Sequence, residues 1–522
     1  MKKFACADSE TDPFKFNRIP EPFLWGYFDG ENYHEFSTTK QFVDFIREKE
    51  IIIYMHNGGK LDMHFLFGDV LPQEDIIIIN GRVAKIKIGA AEIRDSYLLL
   101  PVPLATYKKD EIDYSKFELE NRDENMAEIS AYLKNDCIYL YEILAKNFEL
   151  YGQKLTLASS AFDFWNKKFN PNKFKPKTGL HYFNHFKYFY FGGRVQCFQK
   201  GIINKEFKVF DINSAYPYAM LHDHPYGNEY LIYNSLPENK IESCFIHLRA
   251  ISDGALPVRE NNKLDFPSDN KERDYHCTGW ELKTALENNK IRIIRIFRVY
   301  RFLNSINFAE YVDYFYKQKS ELKNKDAARY LLAKLYLNSL YGKFGQSSQG
   351  HRNFELIDPQ FIHGYIDEKY EFEGMIGEYA LMSRPIDESE MNFYNVATAA
   401  SITGFVRAFL FRHILTATEP LYCDTDAVAA VDFPCITGPG IGQWSKEGDF
   451  TKGAIAGKKM YAFRRKKMKD GELYKISSKG VKLSADDIFA IAEGEEICYK
   501  NHAPTFRIGK TPEFIERKIR MT

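Results

Sequence analysis

This sequence lacks net charge, a long apolar run and any cysteine pairing pattern. Lys plus Arg number 71 and Asp plus Glu number 71, so the 522-residue chain carries a formal charge of zero. That balance excludes a histone-like or tail-driven nucleic-acid binder, which is basic overall. It leaves room for a basic groove offset by acidic residues elsewhere, because charges act over only ~8–10 Å at moderate salt. No stretch approaches the ~18 uninterrupted apolar residues of a membrane-spanning helix. Ile76–Ile79 is a short β-branched run and reads as a buried strand. Lys2 and Lys3 begin the chain as a basic pair, but Asp8 and Glu10 end the apolar stretch too early for a signal peptide. The cysteines (6, 137, 197, 244, 277, 423, 435 and 498) are scattered without a CxxC pair. This points to reduced thiols in an intracellular compartment and to no zinc site. Internal repeats and low-complexity tracts are absent too.

What is present is a folded composition: 45% apolar and 27% charged residues, which excludes wholesale disorder. Aromatic residues reach 16%, with 43 Phe and 34 Tyr. Such rings fill cores and also stack on bases.

The pattern divides the chain into three blocks and a connector. Residues 1–150 alternate strand-like runs (Phe4–Ala7, Ile51–Met55, Ile76–Ile79) with a helical pattern over Glu128–Phe148, an α/β layer. Residues 151–205 are an aromatic, Lys-rich connector holding Pro171, Pro176 and Tyr190-Phe191-Gly192-Gly193-Arg194. Residues 206–455 again mix strands and helices. A long helical pattern over Tyr311–Leu340 has a break expected near Asn324-Lys325-Asp326. Residues 456–522 start basic and end mixed. Residues 458–482 hold ten cations against Asp470 and Glu472, a local charge of +8. Phosphate contacts there would release counterions and make binding salt-sensitive.

Carboxylates carry the chemistry of the first block. Asp8 and Glu10 follow an apolar strand, and residues two apart share a strand face. Such a pair is a natural cup for a hard divalent cation. Ile51–Met55 ends in His56-Asn57-Gly58-Gly59-Lys60-Leu61-Asp62, a glycine-rich turn that delivers a third carboxylate. Tyr132 and Asp136 stand four apart on one helix face.

A second set lies downstream. Phe207–Phe210 ends at Asp211, before Ile212-Asn213-Ser214-Ala215-Tyr216. Asp424 and Asp426 sit inside an apolar run, where unpaired carboxylates are costly, so a hairpin presenting them to metal is expected. Between these segments Lys334, Asn338 and Tyr341 recur on one helix face. A cation, an amide and a ring there suit a triphosphate, a sugar and a base.

In this order the first three segments resemble the exonuclease motifs of DNA polymerase proofreading domains: Asp-x-Glu, Asn-x(2–4)-Asp and Tyr-x(3)-Asp. The other three resemble motifs A, B and C of family B DNA polymerases. The resemblance implies an α/β multidomain fold, an RNase H-like exonuclease domain plus a palm–fingers–thumb polymerase domain. It assigns 1–150 to the exonuclease, 151–205 to the connector, 206–455 to palm and fingers with insertions, and 456–522 to the thumb.

The site residues follow by the same resemblance. Asp8, Glu10, Asp62 and Asp136 would hold the exonuclease metals, and Tyr132 would orient the water. Lys109 would be the catalytic-site lysine, and Asn57 and Ser96 would contact the single-stranded 3′ end. Asp211 and Asp426 would ligate the polymerase metals, with Asp424 supporting. Lys334 and Lys319 would grip the triphosphate, and Tyr216 would reject a 2′-hydroxyl. Asn338 and Tyr341 would line the nascent base pair. Lys459 and Tyr461 match the Lys-x-Tyr motif that holds the primer terminus. Tyr190, Gly192 and Gly193 match the link between the domains, and Arg407 lies in a segment resembling a template-contacting helix. Two departures stand out: Ala427 replaces the usual Ser, and the Asn57–Asp62 spacing is long.

The implied function is DNA-directed DNA synthesis with 3′–5′ proofreading, using two Mg²⁺ or Mn²⁺ ions per active site. The implied enzyme is a monomer in a host cytoplasm, or wherever a linear plasmid resides. It works on primer-template DNA and dNTPs without a membrane. The first motif starts at residue 8 and the chain is short, as in the protein-primed subgroup of phages, viruses and linear plasmids, whose partner is a terminal protein. The residues between Asp211 and Lys334 leave room for the insertion that contacts it, and Phe354–Met391 for a second, hairpin insertion. Two alternatives stay open: a family B enzyme primed only by nucleic acid, and a non-catalytic DNA-binding relative, against which seven intact carboxylates speak.

Overall fold

The computed structural model describes residues 2–69, 76–170 and 177–522. Pro171 and Pro176 of the connector lie outside the described residues. Two large sheets organise the chain. The first has seven strands in the order Tyr33–Phe36, Pro22–Phe28, Phe4–Thr11, Ile52–Met55, Ala91–Asp95, Arg82–Ile88 and Ile77–Ile79. Phe4–Thr11 and Ile52–Met55 pair in parallel, as do Ile52–Met55 and Ala91–Asp95. Helix Leu119–Tyr151 covers one face, burying Leu140, Ile143 and Leu144 against Phe4 and Tyr54. The isoleucine run corrects one expectation. It forms an edge strand, Ile77–Ile79, with Ile77 exposed rather than buried.

The second sheet has eight strands, and its registered pairings are antiparallel. Its centre is Phe207–Ile212, flanked by Ala427–Asp432 and Trp444–Gly457. Met460–Lys469 and Glu472–Ser478 add to the same sheet beyond Trp444–Gly457. A boundary at 456 therefore falls inside one sheet. The basic segment 458–482 begins as a continuation of it, and helix Ala485–Glu493 packs Ile488 and Ile491 against Ala454 and Ala462 of its strands.

The long helical pattern breaks where expected, into Ala309–Leu322 and Ala327–Phe344. Asn324 takes a left-handed φ of 64°, and Asp326 caps the second helix by accepting from the Arg329 N–H. One apolar core runs from Phe4 and Leu140 of the first lobe to Phe210, Leu332 and Tyr336 of the second. The Tyr336 hydroxyl donates to Asn147 Oδ1 at 2.8 Å across that seam.

Two insertions hang on this frame. Residues between Asp211 and Lys334 form a four-stranded sheet, His224–Tyr233, Ile291–Ile306, Cys244–Ser252 and Glu272–Thr278, with helix Gly279–Glu287. Arg352–Ile357, Glu371–Ile376 and Tyr379–Pro385 form a three-stranded sheet whose Leu356, Ile376 and Leu381 pack into the first lobe's core. Among the described residues, no helix is long and apolar enough to cross a membrane.

Candidate active sites

The first carboxylate set meets in one cavity of about 630 Å³. Asp8 and Glu10 come from the interior strand Phe4–Thr11, and Asp62 opens the 3-10 segment Asp62–Asp69. Asp136 lies one turn after Tyr132 on helix Leu119–Tyr151. Lys109, Asn57 and Tyr97 share the lining. Burial, reinforced by Asp62, Glu10 and Asp136, holds the Asp8 carboxyl well above its ordinary range. Burial and then Asp136 push Glu10 up to about 8. Burial raises Asp62 to about 6, although the Ser9 hydroxyl donates to it and pulls the other way. These are the marks of anions crowded in low dielectric.

The cavity's one lysine is placed to help. Lys109 Nζ stands 3.3 Å from Asp136 Oδ2 and 5.3 Å from the centre of the Tyr132 ring. The Tyr132 and Tyr114 hydroxyls are bonded at 3.1 Å. Asp136 Oδ1 is buried with no hydrogen-bond partner. Oxygen donors in negative surplus, one of them unpartnered, fit hard divalent cations. Among the described residues, no three His, Cys, Asp or Glu side chains are drawn up as a closed coordination shell. Lys109 pairs with Asp136, and the Ser9 hydroxyl donates to Asp62.

Two expectations about the 3′-end contacts fare differently. Asn57 lines the cavity, in left-handed backbone at φ 62°, its side-chain oxygen accepting from Arg82 at 2.8 Å. Ser96 corrects the reading: it is fully buried, 3.1 Å from His56 Nδ1, and donates to the Met55 carbonyl. It orients His56, which lines the cavity, and the adjacent Tyr97 faces the cavity in its place.

The second set meets at the middle of the second sheet. Thr418–Asp424 and Ala427–Asp432 form a tight hairpin whose turn, Thr425-Asp426, puts Thr425 at φ 61°. Asp211 lies opposite Ala427, and the Ile212 N–H donates to the Asp426 carbonyl at 2.9 Å. Burial pushes Asp211 up to about 7, with Asp426 adding. It pushes Asp426 up to about 6, with Asp424 adding. Lys459, in left-handed backbone at φ 59°, sets its Nζ 2.6 Å from Asp424 Oδ1. Its own N–H donates to the Tyr422 hydroxyl at 2.8 Å.

The surrounding expected residues gather here. A Cβ on Gly193 would stand 2.8 Å from the Thr425 side chain, so only glycine lets the connector lie against the hairpin. A Cβ on Gly345 would meet the Tyr190 ring at 2.6 Å. The rings of Tyr216 and Tyr341 stack at 4.3 Å. Lys319 Nζ lies 3.5 Å from Ser214 Oγ. Burial and the nearby charge of Lys334 lower its pKa, so the two lysines converge between the paired helices. Lys334 and Asn338 are exposed on Ala327–Phe344.

Arg407 is a further correction. Its side chain and that of Glu281 are each only 1% exposed, and they pair at 2.7 Å. It also donates to the carbonyls of Phe191 at 2.6 Å and Gly192 at 2.9 Å. It anchors the connector from below and is out of reach of a template. Sequence reasoning missed Glu447 and Lys475. These pair with each other, and Lys475 feels Asp211, Asp424 and Asp426. Lys475 gave no signal beyond membership of a basic run.

The model of the family "DNA polymerase type B, organellar and viral" matches residues 104–371. The DNA-directed DNA polymerase of Enterobacteria phage PRD1 is 35% identical, covering 100% of this chain and 98% of that protein. The chain belongs to the type B DNA polymerases of viruses and organelles. The DNA polymerase of Bacillus phage phi29 is 23% identical over 93% of this chain and 89% of its own. A solved structure of phi29 DNA polymerase with primer-template DNA and incoming nucleotides superposes with a TM-score of 0.75 at 19% identity, covering 100% of both chains. The single-stranded DNA complex of the same enzyme gives 0.77. That likeness establishes the fold of this type B polymerase: an exonuclease domain, then palm, fingers and thumb. Enzymes of this family work with divalent metal ions.

Proposed function

We propose that this polymerase adds deoxynucleotides at the Asp211–Asp426 site and removes mispaired 3′ ends at the Asp8–Glu10–Asp62–Asp136 site. The carrying observation is that two separate clusters of buried carboxylates, each short of positive charge, stand in two lobes with one lysine bonded to each (Lys109 to Asp136, Lys459 to Asp424). Divalent ions, two of Mg²⁺ or Mn²⁺ per site, supply a lowered pKa for the attacking oxygen and neutralise the leaving one. Alignment and charge neutralisation do most of the work in phosphoryl transfer.

In the palm, Asp211 and Asp426 hold the ions and Asp424 supports them, steadied by Lys459. Lys334 and Lys319 hold the triphosphate of a dNTP. The stacked Tyr216 and Tyr341 form a flat floor under the sugar and the base pair, with Asn338 beside them. Tyr461 and Lys459 hold the primer terminus, and Tyr190 with Gly192 and Gly193 guides the template strand. In the exonuclease site Tyr132 orients the water and Lys109 faces developing phosphate charge. Asn57 contacts the frayed end, and Tyr97 takes the place expected of Ser96.

Asp424→Asn or Asp426→Asn should abolish nucleotide addition and spare 3′–5′ degradation, and Asp8→Ala with Glu10→Ala should do the reverse. If either set loses both activities or neither, the two-site assignment fails. We further infer that the enzyme acts as a monomer primed by a terminal protein, with the four-stranded insertion between Asp211 and Lys334 as the element available to that partner. Transfer of a deoxynucleotide onto a protein hydroxyl tests this. Extension of nucleic-acid primers alone would place the enzyme with the nucleic-acid-primed members instead.

A further inference from the structure

The insertion strand Ile291–Ile306 carries arginine every third residue: 292, 295, 298 and 301. In a regular strand a three-residue repeat alternates between faces. Here two bulges interrupt the pairing with Cys244–Ser252. They place Arg298 opposite His247, Arg295 opposite Arg249 and Arg292 opposite Ile251. Each bulge absorbs one residue, so all three arginines return to the outer face. Arg249 joins them from the neighbouring strand.

A row of rings crosses the same face. Phe297 lies 4.7 Å from His247, His247 stacks on His276 at 4.1 Å, and His276 faces Tyr188 at 5.6 Å. The end of the row is open, with Tyr188 56% exposed. Arg295 and Arg249 sit 5.2 and 5.7 Å from the Phe297 ring. The acidic residues here are Asp274, paired with Arg249 at 2.8 Å, and Glu272. Among the described residues Arg292, Arg295 and Arg298 form no ion pair, Arg298 instead donating to Asn234 Oδ1 at 2.9 Å, so the face keeps a surplus of cations.

The geometry points to a second nucleic-acid site on this outer face, one that takes single-stranded DNA. Cations in line beside stacked rings are the combination that holds unpaired strands: the phosphates meet arginine and an unstacked base extends the row at Tyr188. A duplex keeps its bases stacked internally and offers no free face to the ring. An acidic peptide would satisfy the arginines but leave the rings unused. The site lies on the insertion and the neighbouring connector residue Tyr188 and includes none of the clustered carboxylates, so it goes beyond the proposed polymerase and exonuclease reading.

The test uses the full chain with the cleft first filled by excess hairpin primer-template. A short iododeoxyuridine oligonucleotide is then bound and photocrosslinked. The adduct should map to Tyr188, His276 or Phe297. Arg292→Ala with Arg295→Ala and Arg298→Ala should weaken this second binding by about tenfold and lower its log–log salt slope by about two, at roughly 0.7 per single-strand phosphate. Tyr188→Ala should weaken it severalfold without changing the slope. Extension of a short open primed template should stay unchanged in both. The proposal is overturned by adducts mapped elsewhere, by unchanged affinity in folded variants, or by equal competition from duplex. It is also overturned if polyglutamate, and not the oligonucleotide, loses binding in the arginine variant, since the face would then take an acidic protein.

Discussion

The two carboxylate clusters are alike in crowding several buried acids together but differ in charge balance. In the exonuclease-domain cavity Asp8, Glu10, Asp62 and Asp136 face, among the described residues, the single lysine Lys109. In the palm Asp211, Asp424, Asp426 and Glu447 face both Lys459 and Lys475. The first cluster therefore has the larger negative surplus, while burial lifts carboxyls at both sites, Glu10 to about 8 and Asp211 to about 7. The difference teaches that protein cations stand in for metal to unequal degrees, and that protons compete harder for the exonuclease site.

The largest effects come from removing one ligand at a time. Asp211→Asn should cut nucleotide addition by ~10³-fold or more, several kcal/mol of transition-state stabilisation. Asp136→Asn should do the same to 3′–5′ degradation. Single-turnover rates on both substrates measure this, and a loss that crosses sites would break the comparison. Arg407→Ala should act differently. Leaving Glu281 buried and unpaired costs ~3–5 kcal/mol of stability. Denaturant unfolding should register that loss, while the ratio of the two activities in the folded fraction holds.

Smaller effects sharpen the contrast. Lys109→Met removes the only lysine of its cluster and should slow degradation about a hundredfold, whereas Lys459→Met leaves Lys475 in place and should slow addition about tenfold. Equal losses would argue that the second palm lysine compensates nothing. The smallest effect is on stability against pH without divalent metal. Folded pKa values above the ordinary range mean the folded state holds more protons than the unfolded one. That stability is complete below the ordinary carboxylate range and is lost as pH rises toward about 8. Melting temperature should fall across this window, and Glu10→Gln should flatten its upper part, where Glu10 at about 8 still titrates.

Much of both candidate sites was legible because metal chemistry constrains residue type and local spacing. Asp8 with Glu10, Tyr132 with Asp136, and Asp424 with Asp426 each declare themselves within five residues. The break between the paired helices was legible for the same reason, since turn and cap residues act locally. What stayed hidden depends on distant partners. Arg407 meets a glutamate 126 positions away, and Lys475 finds Glu447 across an intervening strand. Ser96 sits in a motif-like segment, yet the sheet turns its hydroxyl onto His56. The expected boundary at 456 falls inside one sheet, because charge marks a surface and not the sheet to which a strand belongs.

The most direct test is Mn²⁺ affinity measured against pH from about 6 to 8.5, a span set by the raised carboxyl groups. The exonuclease site is read in Asp426→Asn and the palm site in Asp8→Ala with Glu10→Ala. The account predicts tighter binding at both sites as pH rises, with the steeper dependence at the exonuclease site. Equal slopes, or a steeper palm site, would contradict it.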